Sequence, residues 1–282
     1  MILRNVADLH MHSNYSDGSC SPEELVRLAK KKNIGVIALT DHDLCDGVQR
    51  AMAEGKEQGI RVISGVEISV EYSGGTLHIL GYGIPDDGFP LHKTLAEVRE
   101  QRAARNKAML DKLAEQGVPL TLEEVYAEAG DSQVGRPHFA AAMLKKGYVT
   151  TTQEAFEKYL GAGGAAFVKR FGIQPADAIS LIHEAGGVSA LAHPFTLNQA
   201  HRDNLEGYIT ELREMGLDGV ECYNCEQTGI YRENLIAMAE RLGLLVTGGS
   251  DFHGGLKPDT DMGCAILPEK HTRAFLDRVP KG

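Results

Sequence analysis

Histidine and carboxylate residues recur in short clusters along this chain, and these residue types bind divalent metal ions. Imidazole and carboxylate groups favour zinc, manganese, iron or magnesium. The clusters therefore predict a metal centre with nitrogen and oxygen ligands rather than a thiolate site. The clustered residues are His10, His12, Asp17, His42, Glu67, His78, His193, Asp251 and His253. They are too many for one tetrahedral ion and could supply two or three adjacent ions. Polynuclear centres of that kind typically hydrolyse phosphate esters.

Short apolar segments next to these clusters are predicted to be β-strands. The candidates are Val6–Met11, Gly35–Thr40, Arg61–Glu67, Thr76–Tyr82, Gly187–Ala192, Gly219–Tyr223 and Leu244–Gly248. Amphipathic helical patterns alternate with them, which predicts an α/β fold with βα units and a parallel sheet. We expect the clusters to occupy the C-terminal ends of the strands. Groups so far apart in sequence converge only if the sheet curls into a barrel, whose active site lies at that face.

The alternation of strands and helices is interrupted between about Leu91 and Leu160, where the pattern is almost wholly helical. This segment predicts a small helical subdomain inserted into the barrel. The glycine-rich segment Gly161–Ala166 is interpreted as a flexible return, although glycines can also cradle a phosphate. The expected division is residues 1–98 and 168–282 for the two parts of the barrel, and residues 99–167 for an insertion that acts as a substrate lid.

Composition limits the classes of partner. The net charge of −10 argues against broad binding of duplex nucleic acid, but it leaves room for a small anionic substrate because bound cations invert the local field. No apolar segment approaches the length that crosses a bilayer, and the N-terminus lacks a signal-peptide pattern, so we expect a cytoplasmic protein with no membrane partner. The five cysteines are scattered, and we expect them to be reduced and structurally passive.

The clusters resemble the motifs of the PHP (polymerase and histidinol phosphatase) family. In chain order they read DLHMHSNYSDG, TDHD, GVEIS, HILGY, AHP and GSDFH. This resemblance implies a distorted (βα)7-type barrel and a metal-dependent phosphoesterase with two or three ions, manganese first and zinc, iron or magnesium as alternatives. It also implies that the nine clustered residues are the ligands and that Glu67 bridges two ions. Asp41 is expected to orient a ligand imidazole through its other ring nitrogen.

The predicted insertion indicates a subgroup of that family. Its motif Gly135–Ala140 is similar to that of family members that remove the 3′-phosphate of nucleoside 3′,5′-bisphosphates such as adenosine 3′,5′-bisphosphate. Some relatives of these enzymes trim short single-stranded RNA from the 5′ end. The resemblance implies that Arg136 and His138 contact the substrate. Together with Glu67 and His193 they are the predicted catalytic residues, and a metal-activated water is the predicted nucleophile. The alternatives are a histidinol-phosphatase-type monoesterase and a non-catalytic metal-binding module.

Overall fold

The computed structural model describes residues 4–72, 76–85, 88–129, 134–169 and 172–280. The chain divides into two compact units. The first unit comprises Met1–Ala96 and Gly172–Gly282, and the second comprises Glu97–Phe171. The first unit contains the β-sheet and the second is helical.

Within the described ranges the sheet has seven strands, which are hydrogen-bonded in chain order. They are β1 (Arg4–Asp8), β2 (Ile34–Leu39), β3 (Arg61–Ser69), β4 (His78–Tyr82), β5 (Val188–Leu191), β6 (Gly219–Tyr223) and β7 (Leu245–Gly248). Each lies within or overlaps a predicted strand, and most of their residues are buried, as expected for a sheet covered by helices. The sheet curls into a nearly closed barrel, so the predicted fold class is confirmed.

Strand β4 departs from the expected parallel arrangement. It is antiparallel to both β3 and β5, whereas the other neighbouring pairs are parallel. The link between β3 and β4 spans residues 70–77, which is too short for the crossover that a parallel pair needs. The expectation of a wholly parallel sheet was therefore wrong at this strand.

The last strand returns to the first through backbone hydrogen bonds. The Leu9 amide donates to the Gly248 carbonyl at 3.0 Å, and the Asp251 amide donates to the His10 carbonyl at 2.9 Å. Gly249 permits this approach, because a Cβ atom there would collide with the backbone of His10. The chain thus brings segments from its two ends side by side at the carboxyl edge of β1 and β7.

A buried carboxylate reinforces this closure. Asp8 Oδ1 accepts from the Ser250 amide at 2.8 Å, while Oδ2 accepts from the Ser250 hydroxyl at 2.7 Å and the Gly263 amide at 2.9 Å. Burial raises the pKa of Asp8, although these hydrogen bonds act in the opposite direction. Three hydrogen-bond donors from the segment after β7 therefore have the Asp8 carboxylate of β1 as their acceptor.

The helices follow the strands or form the second unit. They are α1 (Pro22–Lys31), α2 (Val48–Gln58), α3 (Phe89–Glu115), α4 (Leu122–Ala129), α5 (Arg136–Lys145), α6 (Thr152–Ala155), α7 (Pro175–Glu184), α8 (Gln199–Asp203), α9 (Leu205–Glu214), α10 (Gly229–Arg241) and α11 (Glu269–Arg278). Helix α1 begins with a capping box, in which Ser21 and Glu24 satisfy each other's backbone amides. Among the described residues, no helix has both the length and the apolar composition that a bilayer crossing needs.

The second unit has a hydrophobic core of its own. Phe139 and Met143 of α5 are fully buried against Met109 and Leu113 of α3. The glycine-rich segment that was interpreted as a flexible return is a hydrogen-bonded turn instead, because the Ala165 and Ala166 amides donate to carbonyls of the preceding helical turn at 3.0 and 2.9 Å. A role for this unit as a substrate lid stays a prediction.

Candidate metal centre

The strand ends of the first unit bring the predicted metal-type residues together. His10 and His12 follow β1, His42 follows β2, and His193 follows β5. Glu67 lies near the end of β3. His78 is the first residue of β4, and it reaches the same face as the others because β4 runs in the opposite direction. Asp251 and His253 follow β7, and Asp17 lies in the loop after β1.

Glu67 lies at the middle of this cluster and is 1% exposed. Its Oε1 atom is 2.7 Å from His78 Nδ1 and 2.8 Å from His193 Nε2. Its Oε2 atom faces three further ring nitrogens, which are His12 Nε2 at 3.1 Å, His10 Nε2 at 3.2 Å and His42 Nδ1 at 3.3 Å. One carboxylate therefore contacts five imidazoles, which lie at the ends of four strands.

Two aspartates complete the cluster on either side of His12. Asp251 Oδ1 is 3.2 Å from His12 Nε2 and 3.4 Å from His10 Nε2. Asp17 Oδ1 is 3.3 Å from His12 Nδ1 and 3.4 Å from His253 Nε2. The His12 and His253 rings stack with their centroids 4.1 Å apart. Side chains that follow β1 thus contact side chains that follow β7 at the mouth of the barrel.

The donor atoms form three overlapping groups, and within each group the atoms lie within 4.8 Å of one another. The first group is His12, Asp17, His42 and His253; the second is His10, His12, Glu67 and Asp251; the third is His42, Glu67 and His78. Two imidazoles and one carboxylate belong to more than one group. This sharing is the arrangement that adjacent ions require.

Three buried nitrogens in these groups have no hydrogen-bond partner among the described residues. They are His10 Nε2, His12 Nε2 and His42 Nδ1. Each lies 3.1–3.4 Å from at least one carboxylate oxygen without donating to it. Buried polar atoms are rarely left unpaired, so these atoms need a partner of another kind. Divalent cations fit, because ring nitrogens and carboxylates would be their ligands.

The charges of the cluster are strongly coupled. Burial alone would lower the pKa of His10, but Glu221, Glu67 and Asp251 outweigh it and raise the pKa well above the usual range. Burial would raise the pKa of Glu67, yet the surrounding imidazoles hold it well below the usual range. Burial lowers the pKa of His42 to about 4. The carboxylates are therefore ionised, and the centre favours positive charge.

Glu221 is a component of the centre that the sequence analysis missed. This residue of β6 accepts from His10 Nδ1 at 2.9 Å and from the His193 amide at 2.6 Å. Asp41 holds the loop after β1 by accepting from the Ser13 amide and hydroxyl at 2.7 and 2.6 Å and from the Ser16 hydroxyl at 2.6 Å. Its expected role in orienting a ligand imidazole stays a prediction. The only signal for Glu221 was a carboxylate inside an otherwise apolar strand.

A cation at the rim of the centre was also missed. Lys257 Nζ lies 3.0 Å from Asp251 Oδ2, while Asp251 Oδ1 faces the histidines. The lysine side chain is 44% exposed and follows the short 3₁₀ turn Gly254–Leu256. An ammonium group therefore borders the cluster on its solvent side.

Two of the cysteines depart from the expectation that all are reduced. Cys225, after β6, and Cys264, after β7, form a disulfide with their Cα atoms 5.7 Å apart, within the range that a disulfide spans. The barrel brings their loops together, which the scattered spacing in the sequence did not reveal. Cys20, Cys45 and Cys222 are thiols outside this disulfide.

The predicted substrate contacts lie in the second unit. Arg136 is the first residue of α5, and its Nη1 atom is 3.5 Å from the Leu160 carbonyl. His138 Nδ1 accepts from the Gly135 amide at 3.0 Å, so its Nε2 atom carries the ring proton when the imidazole is neutral. Burial lowers the pKa of His138, which favours that neutral form.

Comparison with known proteins connects this geometry to a family. The PHP domain matches residues 8–174. A 5′-3′ exoribonuclease of Haemophilus influenzae is 39% identical over 87% of this chain and 89% of its own length. A 3′,5′-nucleoside bisphosphate phosphatase of Chromobacterium violaceum is 31% identical over 91% of this chain and 90% of its own length.

A solved structure agrees with these relatives. A Bifidobacterium adolescentis protein assigned as a metal-dependent phosphoesterase superposes with a TM-score of 0.72 at 29% identity, covering 98% of this chain and 96% of that one. The predictions of an enzyme, of the phosphoesterase class and of a dependence on divalent metal are confirmed. The chain belongs to the PHP family.

Proposed function

We propose that the nine clustered residues bind two or three divalent ions, manganese first, and that the centre removes the 3′-phosphate of nucleoside 3′,5′-bisphosphates such as adenosine 3′,5′-bisphosphate. The observation that carries the proposal is the set of three overlapping donor groups, two of which share Glu67, together with three buried ring nitrogens that have no hydrogen-bond partner among the described residues. The bisphosphate phosphatase among the relatives, similar over nine-tenths of its length, supports the substrate class.

The residues of the chain divide the work between binding and positioning. The ions would activate water and neutralise charge on the phosphoryl oxygens. Glu67 would bridge ions, because its two oxygens face different imidazoles. His193 would hold its Nε2 atom toward this carboxylate while Thr196 contacts its Nδ1 atom at 3.0 Å, which fixes the orientation of the ring.

Arg136 and His138 would recognise the phosphate groups of the substrate. A guanidinium can donate two parallel hydrogen bonds to a terminal phosphate, which a lysine cannot match. His138 would donate from Nε2, because its Nδ1 atom already accepts from the backbone. Both residues lie at the start of α5, where backbone amides and the helix dipole also favour an anion.

A second candidate function is 5′-3′ trimming of short single-stranded RNA. The Haemophilus influenzae relative with that name is 39% identical, and the same metal centre would serve, since both reactions hydrolyse a phosphate ester. We propose small phosphorylated nucleotides or short single-stranded RNA as partners, with no duplex nucleic acid, and a cytoplasmic location. A histidinol-phosphatase-type activity is the competing outcome.

The test is hydrolysis by the purified protein with added manganese. We expect phosphate release from adenosine 3′,5′-bisphosphate, and mononucleotide release from a short 5′-phosphorylated RNA would support the second candidate. Metal content should be measured in the same sample. Hydrolysis of histidinol phosphate without hydrolysis of either nucleotide substrate would overturn the substrate class, and a protein that hydrolyses none of the three would overturn both candidate functions.

The variant Arg136→Ala tests the proposed phosphate contact. We expect kcat/KM for the bisphosphate to fall roughly 10- to 150-fold, because charged hydrogen bonds are worth about 1.5–3 kcal/mol and each 1.36 kcal/mol is tenfold. Activity on a small aryl phosphate should change far less. Lys158→Ala is the matched control, since it removes a cation from an exposed ion pair with Glu154 in the same unit. Equal losses on both substrates would contradict the contact.

A further inference from the structure

Glu221 lies at the centre of β6 and is fully buried. Its two oxygens have different partners. Oε1 is 2.9 Å from His10 Nδ1, whereas Oε2 accepts from the His193 amide at 2.6 Å and lies 3.5 Å from Asn224 Nδ2. One side chain therefore connects two residues of the metal centre that follow β1 and β5.

The contact with His10 determines which ring nitrogen carries the proton. A carboxylate offers only acceptor oxygens, so His10 Nδ1 must donate to Glu221. The neutral ring then has its lone pair on Nε2. That atom is 3.2 Å from Glu67 Oε2 and 3.4 Å from Asp251 Oδ1, and it has no hydrogen-bond partner among the described residues. Glu221 thus assigns the lone pair of the neutral ring to the nitrogen that faces the centre.

The contact with His193 acts on the backbone. His193 has φ 25° and ψ 68°, a conformation that residues other than glycine adopt only when the surroundings enforce it. Its amide donates to Glu221 at 2.6 Å, and its Nε2 atom lies 2.8 Å from Glu67 Oε1. The bond to Glu221 therefore holds the backbone turn that directs the His193 ring toward the centre.

We propose that Glu221 is a positioning residue of the metal centre, in which one carboxylate fixes the tautomer of His10 and the backbone of His193. This inference rests on the proposed metal ligation. Hydrogen bonds of this kind orient metal ligands, and their loss typically lowers metal affinity about 10- to 100-fold.

The substitution Glu221→Gln separates the two contacts with little change in volume. A glutamine has one acceptor oxygen and one donor NH2 group. The oxygen is expected at the Oε2 position, where two donors converge from His193 and Asn224. The NH2 group then meets His10 Nδ1, which must accept, so the proton moves to Nε2 and blocks the lone pair that would bind the ion. The opposite orientation breaks the bond to the His193 amide instead.

The readout is manganese affinity, measured by competition with a fluorescent chelator and by metal content after dialysis. We expect the Glu221→Gln protein to bind one ion about 10- to 100-fold more weakly than the unchanged protein. Asp218→Asn is the matched control, because Asp218 precedes the same strand and accepts from His183 Nε2 at 2.7 Å and the Ser189 amide at 2.9 Å. It lies outside the donor groups, so manganese affinity should not change.

Nitrogen-15 NMR of the unchanged protein loaded with zinc provides a second test that does not depend on folding of a variant. We expect His10 to carry its proton on Nδ1, and a proton on Nε2 would overturn the proposal. Unchanged manganese affinity in folded Glu221→Gln would overturn it as well, while the proposed ligands would stand. If the unchanged protein bound no divalent metal, the ligand assignment and this inference would fall together.

Discussion

The substitution Glu67→Gln is the most informative perturbation of the centre. It keeps the volume of the side chain but replaces one oxygen by an NH2 group and removes the negative charge. Either orientation places that NH2 group against ring nitrogens, since Oε1 faces His78 and His193 while Oε2 faces three other imidazoles. The amide therefore loses both the charge and one of the two ligand oxygens.

The expected magnitude follows from burial. Glu67 is 1% exposed, so solvent screens its interactions little. Loss of a group that only orients a metal ligand typically lowers metal affinity or activity about 10- to 100-fold. Glu67 contacts the other donor groups directly, so we expect kcat/KM to fall by at least about 100-fold. We also expect fewer bound ions, because Glu67 belongs to two of the three donor groups.

The assay compares kcat/KM on adenosine 3′,5′-bisphosphate with metal content for each protein. Glu71→Gln is the control, since it makes the same change a few residues further along at a partly exposed carboxylate that accepts from Gln174 at 2.7 Å. This control should behave like the unchanged protein. The Glu67→Gln protein could instead bind a full complement of manganese and keep an activity within about threefold of the unchanged protein. That result would refute the inference that Glu67 is a metal ligand shared by two donor groups.

Two further predictions concern the hydrogen bonds of Asp8 that close the barrel and the protonation of the buried imidazoles. Asp8→Asn keeps one acceptor oxygen and replaces the other by an NH2 group, so either the Ser250 or the Gly263 amide loses its acceptor. This unsatisfied buried donor should lower the free energy of unfolding by about 1–3 kcal/mol in urea titrations; a loss below about 0.5 kcal/mol would contradict this. In the metal-free protein, burial alone would lower the pKa values of His10 and His12, but nearby carboxylates raise them well above the usual range. These imidazoles therefore stay protonated at pH 7 until the pH exceeds the raised values, and manganese binding should release protons. Calorimetry in two buffers of different ionisation enthalpy should give different binding enthalpies, and equal enthalpies would contradict proton release.

The sequence predicted the strands and the donor residues well because both have strong local signals. The apolar segments before Thr40, His193 and Asp251 have the length of buried strands, and the ligand-type residues follow directly. The direction of β4 was missed, because apolar composition does not encode whether a strand runs with or against its neighbour. The short link before His78 was the available signal.

Other features were missed because they depend on tertiary contacts. Glu221 is a single carboxylate in a strand, and only the folded barrel places it behind His10. Lys257 meets Asp251, six positions before it in the same loop, only through the turn that this loop adopts in the fold. The pairing of Cys225 with Cys264 is likewise a matter of loop proximity, which spacing along the chain does not determine.

The meeting of the first and last strands has a consequence for the order of folding. Asp8 and Ser250 are separated by 242 positions, yet they bond directly, and the adjacent His10 and Asp251 contribute to the same donor group. During synthesis from the ribosome, the first histidines emerge long before the last carboxylate does. A nascent chain therefore cannot assemble the full centre until the segment after β7 has been made, and metal capture becomes one of the final steps of maturation.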